Sequence, residues 1–216
     1  MALYIDSADR PVVESLLDTG LFAGVTTNPE ILARNGYRRA DLPVVHRWLT
    51  AAGARRVYFQ TLGDDADAIT AHGREIAALG DDVIVKIPAT RAGLTAAARL
   101  SGEHVPVLVT AVHHATHAQL AVAAGAHSVA PYVAPMTRHG RDGAATTLAM
   151  ARILAGTGVG ILAAGFATPD EVAELAAGGI VDFTLEPALL ETMLADQYAV
   201  AAAEHFEAVT AAAAAR

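Results

Sequence analysis

The stretch "DDVIVKIPAT", residues 81–90, decides how the rest of the chain is read. Val83, Ile84, Val85 and Ile87 form a short run rich in β-branched residues, with acidic turn residues before it and Pro88 after it. A run of this length and character predicts a strand buried on both faces, as in a parallel sheet covered by helices. In the middle of that run sits Lys86, the only lysine among 15 Lys plus Arg. A chain that writes its other basic side chains as arginine keeps one amine, and keeps it inside a buried strand.

Similar runs recur along the chain every 20 to 30 residues or so. In order they are "ALYID" (2–6), "FAGVT" (22–26), "RVYFQ" (56–60), "VIVKI" (83–87), "VLVTA" (107–111), "SVAPYV" (128–133), "GILAAG" (160–165) and "VDFTL" (181–185). They read as nearly continuous apolar strands. The segments between them carry helix signals. "SADRPVVESLLDTG" offers Ser7 or Asp9 as N-cap, Pro11 in the first turn and Gly20 as stop. "TPDEVAELAAGG" opens on Thr168 and Pro169, with acids in the first turn, and stops at Gly178. The stretch 27–55 is long for one crossover and predicts two helices, "PEILARNG" and "LPVVHRWLTAAG". Residues 187–216 read as a C-terminal helical segment. Eight strand–helix units predict an α/β fold, a (β/α)8 TIM barrel, as a single domain over 1–216 with that extra helix. A doubly wound sheet is the alternative, but no G-x-G-x-x-G follows the first strand.

Composition narrows the function classes. A net charge of −8 lacks the basic footprint of a nucleic-acid binder. No basic amphipathic stretch suits a membrane surface, and no apolar run has the length of a spanning helix. The chain has no cysteine, so disulfide and thiol chemistry are excluded. "MALYIDSADR" lacks the basic start and apolar core of a signal peptide, and a soluble cytoplasmic protein is the expectation.

In a barrel of this kind, function sits at the C-terminal ends of the strands. Those ends deliver Asp6, then Thr26, Thr27 and Asn28, then Gln60, Lys86, Thr110 and Tyr132. Any one has a bland explanation: a threonine that is structural, or an aspartate that caps the next helix. Together they describe a rim. Taking an ammonium out of water favours loss of its proton, and a neutral amine attacks carbonyl carbons to form Schiff bases. A guanidinium is never deprotonated in proteins, so arginine cannot serve. The competing reading of Lys86 is a side chain that snorkels to solvent or pairs with Asp6. Tyr132 can move a proton, Gln60 and Thr110 can position a water, and Asp6 and Asn28 can hold the hydroxyls of a polyol. These are the parts of a class I aldolase.

"YIDSAD", "GVTTNPEIL", "VIVKIPAT", "LVTAV" and "VAPYV" resemble, in order, the signature segments of the transaldolase and fructose-6-phosphate aldolase family. The likeness runs from residue 3 to about residue 210. It implies a (β/α)8 barrel with its imine-forming lysine on the fourth strand, where Lys86 falls; other class I aldolases of barrel fold generally carry it on the sixth. It implies that Asp6 binds substrate hydroxyls and assists proton transfer, with Asn28, Thr26 and Thr27 beside it. Gln60, Thr110 and Tyr132 would hold a catalytic water. Transaldolases usually carry Glu and Phe at the positions of Gln60 and Tyr132, and the fructose-6-phosphate aldolase branch carries Gln and Tyr. The implied donor is therefore dihydroxyacetone or a related hydroxycarbonyl, and no cofactor is implied.

Two departures concern the acceptor. The family's phosphate-binding arginine after "APYV" corresponds to Pro135, and its Ser-Phe-Arg/Lys after the seventh strand corresponds to Gly165, Phe166 and Ala167. Phosphate recognition leans on charge-assisted hydrogen bonds, so a phosphorylated acceptor loses its clamp. Arg138, His139 and Arg141 follow Pro135; two readings are open, a partial replacement of that clamp and a solvated loop, and the solvated loop is preferred. "HHATH" (113–117) places His114 and His117 at i, i+3 on an expected helix start; with no acidic or cysteine partner near, His113 is read as a pocket residue and no metal is expected. "AAGG" (176–179) reads as a helix C-cap rather than a phosphate cradle.

Two other classes stay open: a transaldolase moving a three-carbon ketol unit between sugars or sugar phosphates, and an inactive barrel kept as a binding module. The resemblance also implies a homo-oligomer, a pentamer or decamer, with the C-terminal helix packing on a neighbouring subunit. The expected partners are a small carbonyl or sugar substrate, with no nucleic acid and no membrane.

Overall fold

Side chains along these strands alternate in kind as well as in direction. At the outward positions Ile5, Val25, Val57, Phe59, Val83, Val85, Ile87, Val107, Val109, Val129, Phe183 and Leu185 are apolar and buried in the main core. The inward positions are mixed: Tyr4 and Asp6, Gly24 and Thr26, Tyr58 and Gln60, Ile84 and Lys86, Leu108 and Thr110. The runs look continuous because the polar residues are few and the outer face is unbroken. The period of two is present, and it carries the site on its inner face.

The structure, a computed structural model, describes residues 1–214. Eight parallel strands close a barrel in sequence order. They are β1 (Ala2–Asp6), β2 (Phe22–Thr26), β3 (Val57–Gln60), β4 (Val83–Pro88), β5 (Val107–Val112), β6 (Ser128–Pro131), β7 (Gly160–Ala163) and β8 (Asp182–Leu185). Around them run α1 (Arg10–Asp18), α2 (Pro29–Arg34), α3 (Leu42–Ala51), α4 (Ala66–Ala77), α5 (Arg91–Gly102), α6 (Thr116–Ala123), α7 (Val133–Arg138), α8 (Gly143–Leu154), α9 (Pro169–Ala177) and α10 (Pro187–Leu194), followed by α11 (Gln197–Ala214). The crossover after β2 contains the two expected helices, α2 and α3, joined by a short 3-10 turn. Asp9 caps α1 by accepting from the Val12 amide, and Thr168 caps α9 ahead of Pro169. The cap of α9 at its other end is Gly178, as "AAGG" suggested.

The lower interior is filled by Tyr4, Tyr58, Ile84, Leu108, Ala130 and Leu162. Tyr4 and Tyr58 meet edge to face with ring centroids 5.4 Å apart. Burial, followed by the neighbouring Tyr4, pushes the Tyr58 phenol well up. This layer closes the interior below the polar C-terminal end; on its other side it meets Arg56, His127, Ser128 and Asp182. Gly24 lets β2 approach β3: a Cβ there would lie 1.9 Å from the Arg56 carbonyl oxygen.

Three expectations shift. The sixth strand ends at Pro131, not at 133: Tyr132 makes one further parallel bridge, to Ala164, and α7 begins at Val133, whose amide still donates to the Ala164 carbonyl at 2.9 Å. The C-terminal segment is two helices, because Asp196 starts a new one by accepting from the amides of Tyr198 and Ala199, at 3.1 and 2.9 Å. The helix in "HHATH" begins at Thr116, so His114 precedes it and only His117 is on it. Among the described residues no helix is long and apolar enough to cross a membrane.

Candidate active site

The upper inward layer assembles the rim. Register sets Asp6 beside Thr26 across β1–β2, and Gln60 beside Lys86 across β3–β4. The Lys86 side chain is 4% exposed. Its Nζ donates to the main-chain carbonyl of Thr27 at 2.8 Å, and among the described residues it belongs to no ion pair. Thr27 therefore meets the lysine through its backbone, while its hydroxyl donates to the Tyr58 carbonyl at 2.9 Å. One amine, shielded from water and held by a single neutral acceptor, is well suited to attack a carbonyl.

Asp6 is engaged elsewhere. Thr26 Oγ1 donates to its Oδ1 at 2.6 Å, and the hydroxyls of Thr26 and Thr184 touch. Since Thr26 has one proton and gives it to the carboxylate, Thr184 must donate to Thr26. The chain Thr184 to Thr26 to Asp6 orients one oxygen of a half-buried carboxylate and leaves the other free. Thr184 was not among the residues singled out from the sequence. Its signal was parity: "VDFTL" carries one hydroxyl, at the position that faces inward as Asp6 and Lys86 do.

On the opposite wall Thr110 Oγ1 and Tyr132 Oη lie 3.1 Å apart. Backbone irregularity places them. The β5–β6 register shifts between Val109 and Val112, and Ala111 adopts φ 54°, a left-handed value unusual for a side chain with a Cβ. The bulge keeps Thr110 facing inward while turning Val112 outward into the core. Tyr132, past the end of β6, is the residue before α7. His113 packs edge to face on the Tyr132 ring with centroids 5.6 Å apart. Burial first, then the charges of His139, Arg141 and His117, hold the His113 imidazole below its ordinary value.

Residues 137–142, at the end of α7 and just after it, are exposed, yet two of them are tied to this wall. Arg141 Nη1 donates to the His113 carbonyl, and the His139 ring meets that of His113 with centroids 6.3 Å apart. His139 Nδ1 also lies 2.7 Å from the Pro135 carbonyl. The reading of that loop as merely solvated holds for Arg138 alone. Arg141 gives one N–H to that carbonyl and keeps its charge, while the matching position itself, Pro135, offers none. Pro135 and Gly165 face each other: Gly165 has φ 68°, and a Cβ on it would lie 3.2 Å from Pro135 Cδ. Phe166 leans on Phe183 with centroids 5.9 Å apart, and Ala167 is exposed, its amide donating to Glu171 at 2.7 Å. This quadrant presents proline, glycine and alanine.

Asn28 is the N-cap of α2; its Oδ1 accepts from the Ile31 amide at 2.8 Å, which aims its amide nitrogen from a fixed base. Gln60 is half-buried and also borders a cavity outside the polar rim. The structure thus brings Asp6, Thr26, Gln60, Lys86, Thr110, Tyr132 and His113 to one end of the barrel.

A family model described as Transaldolase/Fructose-6-phosphate aldolase matches residues 3–216. A probable transaldolase of Caulobacter sp. (strain K31) is 37% identical over 143 residues, covering 66% of this chain and 64% of the relative. A probable transaldolase of Jannaschia sp. (strain CCS1) is 36% identical over 143 residues, with the same coverage of 66% and 64%. The chain therefore matches just under two thirds of the length of these curated relatives. Among solved structures, mandelate oxidase with benzoyl-formic acid superposes with a TM-score of 0.62 at 15% identity, over 89% of this chain and 66% of that one. That likeness concerns the barrel alone. With the family model spanning nearly every residue, and the fourth-strand lysine inside the rim its segments build, the chain belongs to the transaldolase/fructose-6-phosphate aldolase family.

Proposed function

We propose that this chain is a class I aldolase that makes or breaks a carbon–carbon bond between a dihydroxyacetone-type donor and an aldehyde acceptor. The observation that carries this reading is the shielded Lys86 amine on the Thr27 carbonyl, ringed by groups able to move protons. The amine adds to the donor ketone, and loss of the carbonyl oxygen as water gives an iminium. A proton then leaves the adjacent carbon, yielding an enamine. That carbon attacks the aldehyde carbon, the aldehyde oxygen takes a proton, and water cleaves the C–N bond to restore Lys86. Asp6, oriented through Thr26 and Thr184, receives and returns protons near the donor hydroxyls. Tyr132, with Thr110 and Gln60, holds the water. Asn28, Thr26, Thr27 and His113 border the donor, and Pro135, Gly165, Phe166 and Ala167 border the acceptor.

Because the two positions where the family carries cations hold Pro135 and Ala167, the acceptor needs no phosphate. A working clamp of charge-assisted bonds is worth about 1.5–3 kcal/mol per bond. Its loss predicts values of kcat/KM for glyceraldehyde and glyceraldehyde 3-phosphate within about tenfold of each other, with dihydroxyacetone as donor. A strong preference for the phosphate would overturn this part of the proposal.

A second reading is a transaldolase, favoured by the names of the curated relatives. It requires a ketose donor, so turnover with free dihydroxyacetone separates the two. In either case α11 offers a surface for a second copy of this chain: Tyr198, Phe206 and Val209 stand 77%, 67% and 55% exposed on it. We expect a homo-oligomer with this helix docked on a neighbour.

A further inference from the structure

Tyr132 stands past the end of β6, bridged to Ala164, with its amide on the Val112 carbonyl at 3.1 Å. That fixes its backbone; its ring is held by β5 and the residue that follows it. Thr110 Oγ1 meets the phenol oxygen at 3.1 Å, and His113 packs edge to face on the ring with centroids 5.6 Å apart. The left-handed Ala111 lies between these two contacts, so one bulge serves both ends of the phenol. His113 is in turn held from outside the barrel. A Schellman turn ends α7: the Gly140 amide, at φ 78°, donates to the Thr137 carbonyl, and the Arg141 amide to that of Met136, both at 3.0 Å. This turn fixes where His139 and Arg141 leave the chain. Arg141 Nη1 reaches the His113 carbonyl, and the His139 ring backs the His113 ring with centroids 6.3 Å apart. His139 Nδ1 donates to the Pro135 carbonyl at 2.7 Å. Contacts thus run without a break from an exposed turn to the Tyr132 hydroxyl.

We propose that His113 is a positioning residue for Tyr132, and that His139 and Arg141 act through it, so that the turn after α7 sets the aim of the proton-moving hydroxyl. This rests on the aldolase reading above and deepens it by naming what holds its proton donor. An edge-to-face pair fixes the orientation of a ring as well as burying its area. Misplacing a reacting group by about 1 Å can cost about 10²-fold in rate. The imidazole does this work uncharged at neutral pH, because burial and then the charges of His139, Arg141 and His117 oppose its protonation.

The test uses the full chain with dihydroxyacetone in deuterated water, and follows exchange of the donor's carbon-bound hydrogen by NMR beside aldol turnover. Exchange reads proton transfer after imine formation and needs no acceptor. His113→Ala should slow exchange and kcat by about tenfold, with KM and the borohydride-trapped adduct on Lys86 little changed. His113→Phe, which keeps an aromatic edge on Tyr132, should restore most of the rate. His139→Ala and Arg141→Met, both at exposed positions, should give smaller losses of the same kind, about threefold. The deciding measurement is a double-mutant cycle: with Tyr132→Phe already in place, His113→Ala should cost less than about twofold further. An equal loss in both backgrounds would mean that the histidine serves the fold or the substrate and not Tyr132, and overturns the proposal. Native exchange in His113→Ala overturns it too. Failure of the native chain to trap dihydroxyacetone would sink the aldolase reading instead, and the positioning claim is then read without turnover. In the tyrosine-labelled chain the Tyr132 ring signal, assigned as the one lost in Tyr132→Phe, should move in His113→Ala, His139→Ala and Arg141→Met. A Tyr132 signal unmoved by all three overturns the proposal whatever the trapping shows.

Discussion

Lys86 Nζ donates to the carbonyl of Thr27, the residue immediately before the cap of α2. The β2–α2 turn thus anchors an amine that originates two strands away. Attack on a substrate must release this bond, so the turn sets where the nitrogen rests before reaction. Lys86→Met should reduce aldol turnover to background while the fold persists. Lys86 makes a single hydrogen bond inside the barrel, and an apolar side chain of similar volume fills the same space. A thermal midpoint within a few degrees of the native chain, with no turnover, is the expected outcome by calorimetry and enzyme assay.

Thr184 acts on the chemistry through Thr26. Thr184→Val keeps the shape but removes the proton that Thr26 accepts, leaving the Thr26 hydroxyl free to rotate away from Asp6. A hydrogen bond to a charged group is worth about 1.5–3 kcal/mol, so kcat should fall by about tenfold or more with KM little changed. Thr184→Ser should restore most of the loss. A valine variant with native kcat would remove Thr184 from the account.

Tyr132 and Thr110 share one hydrogen bond, and only the tyrosine has the reach and acidity to move a proton. Positioned acid–base groups contribute about 10²–10⁴-fold. Tyr132→Phe should therefore cost at least about 10²-fold in kcat, whereas Thr110→Val should cost less and act mainly by loosening the ring. Stopped-flow measurement of enamine formation against product release would show whether the loss falls on the proton-transfer steps.

Stability should fall as the medium turns acidic, because three histidines are folded in neutral form. Burial is the first cause in His72, His113 and His117, and each lies below the ordinary value of 6.5. Below that value the unfolded chain binds protons that the folded chain refuses, so unfolding gains ground as pH drops from 6.5 toward the folded values. Above it both states are neutral and this contribution is fully retained. His72 shows the cause most plainly: it is 2% exposed, and its Nδ1 accepts from the Leu62 amide at 2.8 Å. The urea midpoint should drop between neutral pH and about pH 5.5, and His72→Gln should flatten that part of the profile.

The C-terminal helix predicts assembly. A lone helix that exposes Tyr198, Phe206 and Val209 gains stability from a partner surface. Phe206→Glu, or removal of residues 197–216, should shift sedimentation toward smaller species. An unchanged sedimentation coefficient per subunit count would show that another face makes the oligomer.

The barrel was legible because its outer face is unbroken: valine, isoleucine and phenylalanine at alternate positions mark a strand whatever lies on the other side. The rim was legible for a related reason, since Asp6, Lys86 and Thr110 interrupt runs that burial alone would keep apolar. What escaped were features that sequence spacing does not encode. Ala111 carries no sign of its left-handed backbone, yet the bulge there decides which way Thr110 and His113 face. Tyr132 sits past the end of its strand, on a single bridge to Ala164, because α7 begins at the next residue. The cavity beside Gln60 draws its walls from two separate stretches, 29–42 and 60–62, and only folding brings Leu32 and Tyr37 to Leu62.

The most direct test of the central claim is mass spectrometry of the intact chain after incubation with dihydroxyacetone and borohydride, followed by peptide mapping. With one lysine in the sequence, the amino terminus is the only competing primary amine. A reduced adduct on the peptide containing Lys86, absent from Lys86→Met, is the predicted result. An unmodified Lys86 with dihydroxyacetone and with ketose donors alike would contradict imine chemistry at this site.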